Sequence, residues 1–207
     1  MKEKVVSFDL DGTLTDYSFT SGVWEEGIPL EFARKNSISF EEARAYCRQC
    51  YDTVGEVSIK WYLVDYWLDY LGLSHISINS LIEPYMNRIN LFMDAEPVLK
   101  KLKSNNRKLV MFSNASRCFL DAEVKDTGIE KYFDRIISLP DDWGMVKSDK
   151  EAFSKLESMI GHFVHVGDSV ACDYESPKRA GIESYHVFRG IGKKLPDSFI
   201  TLKEIPF

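Results

Sequence analysis

The sequence contains no apolar run of about 18 residues, so no membrane-spanning helix is expected. It has no internal repeat, no low-complexity tract and no long Pro/Gly/Ser linker. At 207 residues that leaves one domain with an insert, or two small domains, around a real core. Cysteine is scarce. Cys47 and Cys50 form one isolated C-x-x-C within a helical pattern, and Cys118 and Cys172 stand singly. A zinc site would want a second ligand pair at matching spacing, so free thiols are expected. An excess of positive charge is also missing. The net charge of -6 argues against nucleic acid or an anionic membrane as the main partner. A small anionic substrate stays open, because a few local cations can hold one. Only five residues separate Met1 from Ser7, too few for the apolar stretch of a secretory leader, and a cytoplasmic location is expected. Nothing in the sequence sets an oligomeric state.

What is present is a change of rhythm. Lys4 to Phe8 reads as a short strand ending at Asp9-Leu10-Asp11-Gly12-Thr13. From about Trp24 to Phe92 the pattern is helical. Ile59, Tyr62, Leu63, Tyr66, Trp67 and Tyr70 recur at three- and four-residue spacing, which predicts one helix face, with Ser58 as its cap and Gly72 as its stop. Beyond Met93, strands and helices alternate. Helices are expected over 95–104, 116–127, 149–159 and 173–180. Strands are expected over 108–113, 135–138, 163–166 and 184–188. That order predicts an α/β fold with a parallel sheet covered on both faces, which binds ligands at the carboxyl ends of its strands.

Four motifs fall at such ends. Asp9 and Asp11, at i and i+2, point to one side of an extended chain. Their repulsion calls for a cation or a shared proton. Asp9 needs no base to act as a nucleophile, since a carboxylate with a pKa near ~3.9 is ionised at neutral pH. The alternative is an acidic turn, Asp-Gly being a common turn pair. A D-x-D-G-T string should arise by chance on the order of once per 10⁵ positions. Ser113 and Asn114 follow a buried strand. Ser113 can donate to a phosphate oxygen, or the pair can cap the next helix. Lys147 precedes a helix start, where a lysine is ordinarily solvated; in a cleft of carboxylates it would neutralise a phosphoryl group. Asp168 and Asp173 lie in Gly167-Asp168-Ser169-Val170-Ala171-Cys172-Asp173. Asp168 would sit beside Asp9 if their strands are neighbours, and hard carboxylate oxygens suit Mg²⁺. Asp173 also reads as an acid favoured at a helix N-terminus.

Together the segments DLDGTL, FSN, that of Lys147 and GDSVACD resemble the four motifs of the haloacid dehalogenase-like (HAD) superfamily in order, spacing and strand-end placement. The resemblance implies a Rossmann-like core over 1–15 and 93–207, with a helical cap inserted over 16–92. It implies a Mg²⁺-dependent phosphatase acting on a small phosphorylated metabolite. Asp9 would take the phosphoryl group, and Asp11 would serve as general acid and then base. Ser113, Asn114 and Lys147 would bind phosphoryl oxygens. Asp9, the backbone carbonyl of Asp11 and Asp168 would hold the metal, with Asp173 acting through a water or by holding Lys147. One departure is Ser-Asp after Lys147 where many relatives have Pro-Asp; Ser148 is expected to cap the helix there.

Rival readings remain inside and outside that chemistry. A dehalogenase would lack Asp11. A phosphonatase would use a cap lysine, for which Lys60 is available. A phosphosugar mutase uses the same core chemistry, and a binding protein that had kept the fold would be expected to lose an aspartate. About half of the aromatic residues fall within 16–92, among them Trp24, Trp61 and Trp67. They are expected to form a helical-bundle core, with some facing the cleft beside Arg44, Arg48 or Lys60.

Overall fold

A computed structural model describes residues 5–207; Lys4, expected to begin the first strand, lies outside the described residues. Val5–Phe8 forms β1, buried throughout. A helical segment follows: α1 (Ser18–Gly22), α2 (Ile28–Asn36), α3 (Phe40–Val54), α4 (Val64–Tyr70) and α5 (Ile78–Ile82). A π-helical turn over Val23–Gly27 joins α1 to α2. The start of α3 is set by a capping box, in which the Ser39 side chain accepts from Glu42 N while Glu42 reaches back to Ser39 N.

The chain then alternates: α6 (Ala95–Ser104), β2 (Leu109–Ser113), α7 (Arg117–Thr127), β3 (Arg135–Ser138), α8 (Ala152–Ile160), β4 (Phe163–Gly167), α9 (Ser176–Arg179) and β5 (Glu183–His186). The strands form one parallel sheet in the order β3-β2-β1-β4-β5. Alternate residues of β1 face opposite layers. Val6 and Phe8 pack with Leu99 and Leu102 of α6 and with Leu120 and Val124 of α7. Val5 packs with Phe153 and Leu156 of α8 on the other face. The helical segment has a separate apolar cluster, including Phe19, Ile28, Cys47 and Trp67, that meets the sheet domain at Phe119 of α7. No described helix is long and apolar enough to cross a membrane.

Three expectations need correction. Ile59 to Tyr70 is not one helix. Ile59–Tyr62 is a 3₁₀ turn capped by Ser58, Leu63 is extended at φ −89°, ψ 107°, and α4 begins only at Val64. The break separates Trp61 and Tyr62 from Trp67, which is fully buried, while Tyr70 is exposed. Second, α8 starts at Ala152 rather than Asp149. The Asp149 carboxylate accepts from Val146 N at 2.8 Å and holds the preceding turn, so Ser148 is not the cap. Third, Asp173 lies inside a π-helical turn, Val170–Glu175, that precedes α9, and Ser169 is its cap.

Candidate active site

The central pairing of β1 with β4 decides the site. Phe8 lies in register with Val166, and Asp9 N donates to Val166 O at 2.9 Å, so Asp9 and the Gly167-Asp168 pair leave the sheet side by side. Asp9 runs into a tight turn in which Thr13 N and Leu14 N both donate to Leu10 O. Gly12 closes it at φ +75°, and a Cβ there would collide with the Asp168 carboxylate and the Tyr17 hydroxyl. On the other side β2 delivers Ser113 and Asn114. Asn114 Oδ1 accepts from Lys147 N at 2.9 Å, which brings the loop after β3 across the sheet end.

Lys147, expected from its position alone to be solvated, is 2% exposed. Its Nζ donates to Asp9 Oδ1 at 2.5 Å and to Asp173 Oδ1 at 2.6 Å. Burial disfavours the ammonium, but Asp173 and Asp9 outweigh it and hold Lys147 above its ordinary pKa. Burial likewise opposes ionisation of Asp173, yet Lys147 and His165 hold it well below the usual carboxylate range. Asp173 and Asp9 thus share the Lys147 ammonium. Asp9 is pushed up to about 6 by burial, with Lys147 pulling it back and Asp173 adding to the rise.

Asp11 and Asp168 flank this pair. Asp11 Oδ1 accepts from Thr20 Oγ1 at 3.1 Å, and burial together with the Asp9 charge raises its pKa to about 7. Asp168 accepts from the Tyr17 hydroxyl at 2.7 Å and from Thr13 Oγ1 at 3.4 Å. Burial and the charges of Asp9 and Asp173 raise it to about 8. Carboxylate oxygens of Asp9, Asp168 and Asp173 lie within 4.8 Å of one another. These acids face one buried ammonium, and such an excess of hard anionic oxygens fits a divalent cation.

The site opens into a cavity of about 420 Å³. Its far walls are aromatic: Trp24, Tyr51, Trp61, Tyr62 and Phe119. Trp24 stands 5.7 Å from the rings of both Tyr51 and Phe119. Tyr62 accepts from Asn114 Nδ2 at 3.1 Å, tying the helical segment to the end of β2. Of the three basic residues considered for the cleft, Arg44 and Arg48 both pair with Glu25, and only Arg48 lines the cavity. Lys60 sits over the Tyr66 ring at 5.1 Å, outside the lining.

Sequence reasoning missed several groups here. Tyr17 and Thr20 carried no signal beyond following the first motif. Glu123 did carry one: an acid in the apolar stripe of α7 beside Leu120 and Val124. It is 1% exposed, accepts from Thr15 Oγ1 at 2.5 Å, and is raised well above its ordinary value by burial and by the neighbouring Asp11. His165, on an inward position of a buried strand, carried a similar one.

A family model described as "haloacid dehalogenase-like hydrolase" matches residues 3–181, a span that contains every group above. The chain belongs to the haloacid dehalogenase-like hydrolases. Among curated relatives, the GMP/IMP nucleotidase YrfG of Escherichia coli (strain K12) is 30% identical over 156 residues, 75% of this chain and 68% of that protein. Among solved structures, a HAD phosphatase from Thermococcus onnurineus superposes with a TM-score of 0.84 at 24% identity, over 97% of this chain and 95% of that one. The HAD-hydrolase YfnB from Bacillus subtilis, solved bound to magnesium, does so at 0.69 and 17% identity, over 99% and 97%. Both structural likenesses show the HAD fold.

Proposed function

We propose that this HAD-like hydrolase is a Mg²⁺-dependent phosphatase that cleaves small phosphomonoesters through an aspartyl-phosphate on Asp9. The observation that carries this reading is the buried Asp9–Lys147 contact at 2.5 Å, set among Asp11, Asp168 and Asp173 at the inner end of one cavity. An anionic nucleophile and a phosphate dianion repel each other, and Lys147 lies where it can bind both. Asp9, the backbone carbonyl of Asp11, and Asp168 are the groups that would hold Mg²⁺. Bound there, the metal would offset the carboxylate charge and stabilise charge on the phosphoryl oxygens.

In the first step an Asp9 oxygen forms a bond to phosphorus as the bond to the leaving oxygen breaks. Asp11 gives that oxygen its proton, a role suited to a pKa near 7. In the second step Asp11 takes a proton from water, the water oxygen bonds to phosphorus, and inorganic phosphate leaves Asp9. Ser113, at the end of β2 in the cavity lining, would donate to a phosphoryl oxygen. Asn114 contributes by holding the Lys147 backbone.

Residues 16–92 act as the cap over this site, supported by their separate apolar cluster and by the cavity between them and the sheet. Its aromatic faces suit a leaving group with a planar ring. Together with the nucleotidase relative, they support nucleoside monophosphates as the substrate class. Lys60, the cap lysine a phosphonatase would use, sits over the Tyr66 ring outside the cavity lining, which favours the phosphatase reading.

The test is hydrolysis of an activated aryl phosphate with and without Mg²⁺, followed by GMP, IMP and ribose 5-phosphate, with Asp9→Asn beside wild type. Metal-dependent turnover that vanishes in the variant is expected, with the nucleotides preferred over the sugar phosphate. No turnover by folded, Mg²⁺-loaded wild type would refute the phosphatase reading. Preference for the sugar phosphate would refute the substrate class alone.

A further inference from the structure

Beneath the Asp9–Lys147 pair runs a line of polar side chains through the otherwise apolar layer between the sheet and α8. Ser7 on β1 and His165 on β4 are neighbours in register, and both are wholly buried. His165 Nδ1 lies 3.0 Å from Ser7 Oγ, and Nε2 lies 3.0 Å from Asp173 Oδ1. That same Asp173 oxygen accepts from Lys147 Nζ, and Lys147 reaches Asp9. The other Asp173 oxygen accepts from Ser169 N at 3.0 Å. Phe153 and Phe112 meet the imidazole edge-on, their ring centres 5.0 and 6.2 Å away, and confine its plane.

The proton positions follow from what each partner can do. An ionised carboxylate only accepts, so the proton facing Asp173 belongs to Nε2. Nδ1 is then left to accept from the Ser7 hydroxyl, the one donor it meets among the described residues. Burial lowers the imidazole pKa, in keeping with a single ring proton. A buried polar line in an apolar layer is costly unless every member is satisfied, and here each one is.

We propose that His165 is a positioning residue for phosphoryl transfer: its Nε2–H fixes the Asp173 carboxylate, which aims the Lys147 ammonium at Asp9, and Ser7 sets the tautomer. The inference rests on the phosphatase reading of Asp9 and Lys147. Without His165, Asp173 Oδ1 would be held by Lys147 alone, and the carboxylate would be freer to turn about its side-chain bonds. Lys147 would then lose its fixed direction while the fold and the substrate cleft stayed in place.

The test compares His165→Gln with His165→Leu, and adds Ser7→Ala as a milder change. Rates are normalised to the folded fraction measured by circular dichroism. Gln can present an N–H to Asp173; Leu cannot. Leu suits the apolar surroundings better, so a purely structural role ranks Leu at or above Gln in both stability and rate. Positioning reverses the order for rate. His165→Leu should lose about 10–100-fold in kcat, as outer partners of a site typically do. KM for GMP should stay within about twofold, and His165→Gln should recover most of the loss despite being the less stable variant. Leu matching Gln or wild type in kcat would overturn the proposal. In wild type, ¹⁵N-resolved NMR of the imidazole should find the proton on Nε2 and its signal displaced in Asp173→Asn. A bare Nε2 would overturn the proposal whatever the kinetics. Wild type without any phosphatase activity would sink the reading of Asp9 instead, and the NMR result would still decide the His165–Asp173 link.

Discussion

Replacing Lys147 by Met should destabilise the protein severely, and in a manner that reports charge rather than packing. The side chain is 2% exposed, and its ammonium contacts Asp9 at 2.5 Å and Asp173 at 2.6 Å. Methionine fills similar space, so little cavity is created. What remains is two buried carboxylates without their cation. Breaking a buried pair by removing one partner costs about 3–5 kcal/mol. For a chain of this size that corresponds to a fall in Tm of roughly 6–20 °C. Three features should accompany the loss. First, Asp173 is held below its ordinary pKa in the wild type. Its contribution to stability is therefore present above the unfolded value near ~3.9 and is lost as pH falls. The variant lacks that contribution, so its deficit should hold from neutral pH down to about pH 4 and shrink only as pH falls further. Second, Mg²⁺ should restore part of the stability of the variant, because the acids left behind regain a counter-charge. Third, adding Asp173→Asn should cost less than the sum of the single changes, with a coupling of about 1–3 kcal/mol. Urea unfolding followed by circular dichroism measures all three. A pH-independent loss below about 1 kcal/mol would refute the argument that this pair carries the charge balance of the site.

Three further outcomes are expected. Asp11→Asn should lower kcat by about 10²–10⁴-fold for nucleotides, whose ribose oxygen needs a proton, and much less for an activated aryl phosphate; steady-state kinetics on the two substrates shows whether the losses differ. Gly12→Ala should cost roughly 1–2 kcal/mol for its left-handed backbone alone, and should weaken Mg²⁺-dependent turnover further because the added carbon meets Asp168; a Mg²⁺ titration of activity that matches wild type would contradict this. Asp94 accepts from Arg189, Thr201 and Leu202 N and is 8% exposed. Burial opposes its ionisation, but these donors hold its pKa below the ordinary value. Its contribution is thus present above ~3.9 and lost below, and Asp94→Ala should lower Tm more at pH 7 than near pH 2.

The parts of the fold legible in the sequence were those in which one physical signal acted alone. Ala95–Ser104 and Arg135–Ser138 have the expected bounds because apolar spacing and flanking polar residues agree there. The neighbouring of Asp9 and Asp168 could be posed only as a condition, since it depends on β1 lying between β2 and β4, and strand order is not a local property. The segment from Ile59 to Tyr70 failed for a different reason. Its three- and four-residue spacing is shared by two elements with an extended Leu63 between them, and periodicity does not register a one-residue break. Trp67 Nε1 donates to Trp61 O across that break, a tertiary bond with no counterpart in a continuous helix. The change matters for function, because it allows Trp61 and Tyr62 to line the cavity while Trp67 fills the core of the helical segment.

The two motif glycines bring the same reasoning to the acids themselves. Gly12 lies in the turn that follows β1 and Gly167 ends β4, and both positions are closed to a Cβ by a carboxylate: that of Asp168 at Gly12 and that of Asp173 at Gly167. Only Gly12 has a positive φ, so backbone conformation cannot explain both. Close approach explains both. The sheet spacing fixes where Asp9 leaves β1, and any side chain at either glycine would push one of the facing acids away from it. The acids could then separate and relieve their repulsion, and Asp9, Asp168 and Asp173 would no longer share one small volume. The glycines thus hold together an arrangement that electrostatics alone would open, which is the state the proposed cation and phosphoryl group would need to find already formed.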